Sequence, residues 1–331
     1  MSIREHSSIQ AVRTEGRIAR NRVRDSLPSF PGVPYLYILP FFIFFAVFLA
    51  FPVVYTLYLS FFEYHGVGEG FLFAIDLGVF AVEVPRISNV EFVGLENYTR
   101  MVGDGLFWLS MWNTVIITVF QMPLMVLVSL GVALALNASF IKLSGLQRTL
   151  IALPVSANFV AYSTIFLMIF SEQFGLANYV IQLVGFEPIA WQSDRWWARV
   201  MLAITLDWRW MGYNMLILFA GLQNIPGRLY EAAEIDGASA WQKFRYVTVP
   251  QLKPMLLFVI VLSTVGSMQL FSEPFIITEG GPSNSTITIL YYIYDQAFVY
   301  FNLGYASALT YVLVGVVTAL SIIEMKIGGE D

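Results

Sequence analysis

Six stretches of the chain run for 20 or more residues with few or no charges, at about 36–62, 112–138, 147–171, 199–222, 255–277 and 303–323. A helix needs about 20 apolar residues to cross the hydrocarbon core of a bilayer, whereas a membrane β-strand needs only about ten. The pattern therefore predicts an all-α membrane protein with six transmembrane helices. A shorter apolar patch, Phe71–Val82, is interrupted by Asp76 and Gly78 and is expected to belong to a folded outer loop, 63–111. Pro154 and Pro274 fall where a broken helix would free backbone carbonyls, while Pro40 and Pro52 are expected only to kink the first span.

Composition agrees with this division. Hydrophobic residues make up 57% of the 331 positions and charged residues 12%, about half the charged share of a soluble domain. Thirteen lysines and arginines fall in the alternate segments 1–35, 139–148, 223–254 and 324–331, and four in the segments between them. Because basic residues accumulate on the cytoplasmic side, both termini are expected there. Residues 1–34 form a polar, arginine-rich tail too long for a secretory signal; residues 326–331 form a short second tail. The scattered basic residues give no nucleic-acid surface. Without cysteine, and with only His6 and His65 as histidines, neither a disulfide framework nor a Cys/His metal site is expected.

One long hydrophilic insertion separates two apolar runs. It contains YEAAEIDGASAWQKFRYVTVP, residues 230–250. Pro226 suits a helix start, Glu231, Glu234 and Asp236 suit its first half, and Lys243 and Arg245 its last turn. Pro250 and Pro254 are expected to block continuation, so the spacing predicts a separate helix over about 228–246. Ala233, Gly237, Ala240, Trp241 and Phe244 share one helical face. Gly237 inside a helix costs about 1 kcal/mol, which points to a close approach by another molecule. Docking into a partner's groove and lying on the membrane surface are the two readings of that face.

The same segment resembles a known family. Glu231-Ala232-Ala233, three residues, Gly237, nine residues and Val247-Thr-Val-Pro250 looks like the EAA motif of ABC-importer permeases, with valines where the family pattern has isoleucine and leucine. The segment from Ile225 to Pro254, VGLENY at 93–98, GGPSNST at 280–286 and GYASAL at 304–309 resemble the carbohydrate-uptake, MalF/UgpA-like branch, and the likeness covers about 35–325. It implies a type I importer permease fold in the cell membrane. It further implies a coupling helix in which Glu231, Ala232, Ala233, Asp236, Gly237, Ala240 and Pro250 serve ATPase contact. The implied partners are a second permease, forming a heterodimer, two cytoplasmic ATP-binding subunits carrying ATP and magnesium, and an extracytoplasmic solute-binding protein. The implied solute is a mono-, di- or oligosaccharide, or a related polyol or glycerol phosphate.

The chain has no G-x-x-x-x-G-K-[ST] loop to cradle ATP phosphates and no H-E-x-x-H or G-x-S-x-G motif, so it is expected neither to bind a cofactor nor to act as an enzyme by itself. Polar groups inside spans are costly and point to a path or a helix contact. Asp207 and Arg209, two residues apart, point to opposite faces and each must meet a different neighbour. With Asn158, Tyr162, Trp210, Asn214, Ser267 and Gln269 they are the candidates for lining a sugar path. A secondary transporter, or a receptor or scaffold that does not transport, are the alternatives; the first should show inverted repeats, and none is evident.

Overall fold

The computed structural model describes residues 33–64, 67–76, 81–87, 90–137 and 144–329. The arginine-rich tail lies outside them except for its last two residues, as do residues 138–143 with Lys142. The chain divides into two units, 1–56 and 57–331. In the first unit, the apolar run containing Pro40 is helical and passes through a π-turn at Ala46–Ala50; helix α1 as a membrane-crossing element is Tyr37–Leu59.

The second unit takes in the last residues of α1 and continues with a loop that is not helical throughout. Strand β1 (Phe62–Tyr64) pairs antiparallel with β4 (Val90–Phe92), and β2 (Val67–Asp76) with β3 (Ala81–Ile87). The patch Phe71–Val82 thus contributes to a β-hairpin, consistent with its β-prone composition and its polar breaks. A short helix α2 (Glu96–Gly103) follows.

Among the described residues, α1, α3 (Gly105–Asn137), α9 (Ala240–Met268) and α11 (Leu303–Gly329) are long and apolar enough to cross a membrane as single pieces. The run at 147–171 is not one straight helix. Helix α4 (Ser144–Ala152) leads into a 3-10 turn at Leu153–Ser156, and α5 (Phe159–Ile169) leaves it bent by 98°. Pro154 sits in that turn, and the Asn158 side chain caps α5 by accepting from the Val160 N–H. After α6 (Leu176–Leu183), helix α7 (Arg195–Gln223) is 29 residues long but carries Arg195, Arg199, Asp207 and Arg209. Its length suits a span; its polar groups need partners, and neighbouring helices supply them.

Three apolar clusters stack along α7 and its neighbours. At one end, Phe107, Met268, Ile289, Tyr305 and Leu309 pack together. Phe166, Trp191, Met201 and Leu206 form a second cluster, and Leu130, Met215, Leu218, Leu252 and Val259 a third toward the opposite ends. Helices α4 and α7 approach so closely at Gly212 that a Cβ there would strike the Ile151 carbonyl. Helix α9 stops at Met268, well short of the run's apolar end at 277. Residues 269–271 break the helix, which resumes at Ser272 and leads into a π-turn at Pro274–Thr278, so the break precedes Pro274. The loop that follows is fastened by Asn113, whose amide donates to the Asn284 and Ile287 carbonyls, and by Arg199, which donates to Ser285 O at 2.9 Å and Asn113 Oδ1 at 2.8 Å. Helix α10 (Ile289–Tyr294) then leads to α11.

Candidate functional site

Helix α7 organises the interior. At 100° per residue, Leu206, Trp210, Tyr213 and Asn214 share one face, and they line a cavity of about 280 Å³ with Gln121 and Met125 from α3 and Leu262, Ser263, Gly266 and Ser267 from α9. This is close to the lower end of the roughly 300–1,000 Å³ usual for small-molecule sites. Its chemistry is divided. Trp210 and Tyr213, edge to face at 6.2 Å, offer ring surface, while one glutamine, one asparagine and two serines offer hydrogen bonds.

Asp207 and Arg209 flank this face, and their side chains leave α7 in different directions, as their spacing requires. Asp207 accepts from Gln121 Nε2 at 3.0 Å. Arg209 donates to the Tyr162 hydroxyl at 2.6 Å and lies 3.8 Å from Glu273 Oε1, while the Tyr162 hydroxyl donates to Glu273. The guanidinium also covers the Tyr162 ring at 4.6 Å and the Trp210 ring at 5.4 Å. Tyr162 comes from the bent helix α5 and Glu273 from the unwound end of α9, so this cluster ties two breaks in helix structure to α7. Burial leaves Tyr162 at 2% and Glu273 at 4% exposure, which makes the charge pairing obligatory.

Of the eight path candidates, Trp210, Asn214 and Ser267 line the cavity. Tyr162, Asp207 and Arg209 form its buried polar surroundings. Asn158 and Gln269 do not join them: Asn158 is an exposed helix cap and Gln269 is exposed at the end of α9. Sequence reasoning missed Gln121 and Glu273. Each left a signal, since Gln121 is a lone amide in the middle of the run 112–138 and Glu273 is the single charge within 255–277.

The segment expected to form a cytoplasmic rod departs from that shape. Helix α8 (Gly227–Ile235) ends, and α9 begins at Ala240. Gly237 has φ +74°, not a helical value. The Ala238 N–H bonds to Ala233 O and the Gly237 N–H to Glu234 O, a glycine-terminated cap of the kind that satisfies the last carbonyls of a helix. Its role here is thus backbone conformation; a Cβ would meet nothing within 4 Å. The supposed stripe Ala233, Gly237, Ala240, Trp241 and Phe244 is therefore divided between two helices.

Ser239 and Gln242 form a capping box for the second of these, and Lys243 reaches back 2.8 Å to Glu234. Nor does Pro250 end the helix. A π-turn at Phe244–Thr248 widens the backbone just before it, and α9 continues through Pro250 and Pro254 to Met268, because a widened turn tolerates the missing N–H and the ring. Glu231, Ala232, Asp236, Ala240 and Pro250 are all exposed, and Ala233 is half-buried. The bulkiest exposed groups are Ile235 at 87%, Tyr246 at 73% and Trp241 at 68%.

The pattern of one protein family, described as binding-protein-dependent transport system inner membrane component, matches residues 127–324. The chain belongs to this family. The permease is 38% identical over 307 residues to the lactose transport system permease protein LacF of Rhizobium radiobacter, covering 91% of this chain and 96% of that one. It is 32% identical over 310 residues to the arabinooligosaccharides transport system permease protein AraP of Bacillus subtilis (strain 168), covering 92% and 91%. In fold it resembles a chain of the crystal structure of a bacterial alginate ABC transporter in complex with alginate pentasaccharide-bound periplasmic protein, with a TM-score of 0.72 at 18% identity and coverage of 94% and 96%. The matched span includes α7, the split segment between it and α9, α9 itself and most of α11. The permease is thus a multi-pass membrane subunit of an ABC importer.

Proposed function

We propose that this permease carries a carbohydrate into the cytoplasm through the cavity beside α7, alternating between outward and inward access. The observation that carries the reading is the pairing, in one membrane-embedded cavity, of the Trp210 and Tyr213 rings with the Gln121, Asn214, Ser263 and Ser267 side chains. Sugars have apolar ring faces and a rim of hydroxyls, and this wall offers a surface for each. The names of the LacF and AraP relatives support the same solute class.

ATP and magnesium belong, in this reading, to two separate cytoplasmic subunits that grip the exposed turn between α8 and α9, with both termini of the permease on the same side. A second permease completes the path, and a solute-binding protein delivers sugar from outside. ATP-driven closure of the engine moves the turn, and the motion reaches the cavity directly because α9 continues from that turn to Ser263 and Ser267 without interruption.

Reconstitution tests this. The permease, co-expressed with its neighbouring transport genes and placed in vesicles, should accumulate a labelled oligosaccharide only with ATP and the binding protein. Accumulation driven by an ion gradient without ATP, or recovery of the permease without any ATPase, would overturn it.

A further inference from the structure

Gln121 is 2% exposed, and every proton it owns is already committed. Its Nε2 donates to Asp207 Oδ1 at 3.0 Å and to Met125 Sδ at 3.2 Å. Its Oε1 accepts from Ser267 Oγ at 2.9 Å. Asp207 determines the direction of this chain of bonds. The amide turns its nitrogen toward α7 and its oxygen toward α9, the one arrangement open to it whenever the carboxylate is ionised and can only accept. Ser267 then spends its one proton on that oxygen. What remains for the cavity is a lone pair on Gln121 Oε1 and the lone pairs of Ser267 Oγ. Three helices, α3, α7 and α9, meet through this chain, and Gln121 and Ser267 line the cavity.

The geometry assigns to Asp207 the role of a positioning residue for specificity: without touching solute, it holds Gln121 and Ser267 as an acceptor-only patch that selects a solute hydroxyl at that point. This rests on the reading of the cavity as the sugar path. With an amide in place of the carboxylate, the Gln121 side chain is free to turn over, Ser267 becomes an acceptor toward it, and the serine proton swings into the cavity. The patch would then accept a solute group that cannot donate.

The test uses the complete importer in vesicles with its binding protein. A panel of lactose, maltose and an arabinose disaccharide identifies the sugar taken up, and its monofluorinated deoxy analogues, which replace one donor hydroxyl at a time, serve as probes. For wild type, one analogue should be rejected far more strongly than the rest. In Asp207→Asn the KM for the parent sugar should rise about 3–10-fold, the scale of one net hydrogen bond, with the maximal rate within twofold. Discrimination against that one analogue should fall by about tenfold. The double variant Gln121→Glu with Asp207→Asn restores a carboxylate–amide pair with the acceptor now at position 121, and should recover the discrimination. An unchanged discrimination ratio in Asp207→Asn, or a double variant that does not recover it, would overturn the inference while leaving sugar transport standing. No uptake of any panel sugar by wild type would count against the proposed function instead, and the inference would fall with it.

Discussion

At the scale of single residues, the most demanding feature is the buried trio Tyr162, Arg209 and Glu273. A charge in this setting is tolerable only beside its counter-charge. Arg209→Gln or Glu273→Gln alone leaves one charge stranded and should destabilise the permease by about 3–5 kcal/mol, whereas removing both should cost much less. Unfolding of the three variants in detergent gives the comparison, and additive losses would show that the two side chains do not depend on each other. Half of this was legible beforehand. An arginine inside a predicted span requires a partner, and its offset from Asp207 rules that residue out. The partner itself could not be read, because Glu273 is 64 positions away and comes within reach only where α9 unwinds.

Elements raise a different question, namely what fastens a helix end. Asp104 precedes α3 and accepts from the Leu106 and Phe107 N–H groups, and its other oxygen accepts from the Tyr292 and Tyr305 hydroxyls at 2.5 and 2.6 Å. Burial by itself would raise its pKa; the two phenols and two backbone N–H groups outweigh that and hold it below the ordinary 3.8. Since the folded value is the lower one, the stabilising contribution is complete above about pH 4 and fades as the pH falls through the folded value. Asp104→Asn should therefore lower thermal stability by about 1–3 kcal/mol at pH 7, and the gap to wild type should narrow only in strong acid. A gap already closed at pH 5 would contradict the assignment.

Helices α8 and α9 show how capping overrides a helical pattern. Residues 228–246 have the charges and spacing of one helix, yet Gly237 takes a left-handed conformation and closes α8. Glycine's tolerance of that conformation and its propensity cost inside a helix were both readable. Which of the two uses the chain makes of it depends on the bonds from Ala238 and Gly237 back to Ala233 and Glu234.

For the molecule as a whole, the proposed function requires energy to pass from separate ATP-binding subunits to the membrane interior. The split segment changes the expected contact: with the small-residue face divided, Ile235 and Trp241 are the large groups presented outward. Interface energy concentrates in a few large side chains. Ile235→Asp and Trp241→Ala should each weaken ATPase binding by about 2 kcal/mol or more, read as at least a thirtyfold loss in a titration of purified subunits. An Ala233→Ser control should change it little. Full affinity in both large-to-small variants would move the contact elsewhere on the segment.

Run length and charge asymmetry determined the class of this protein, because the bilayer demands about 20 apolar residues per crossing and leaves little room for alternatives. The EAA spacing pointed to the family for a related reason, since the shape of a docking turn depends on local order. What tertiary structure alone decided was where helices stop being straight: the bend after Ala152, the turn at Gly237 and the early end of α9 at Met268. The turn at Gly237 is closed by local bonds, whereas the cavity, its polar wall and the Arg209 cluster form where residues distant in sequence converge on α7.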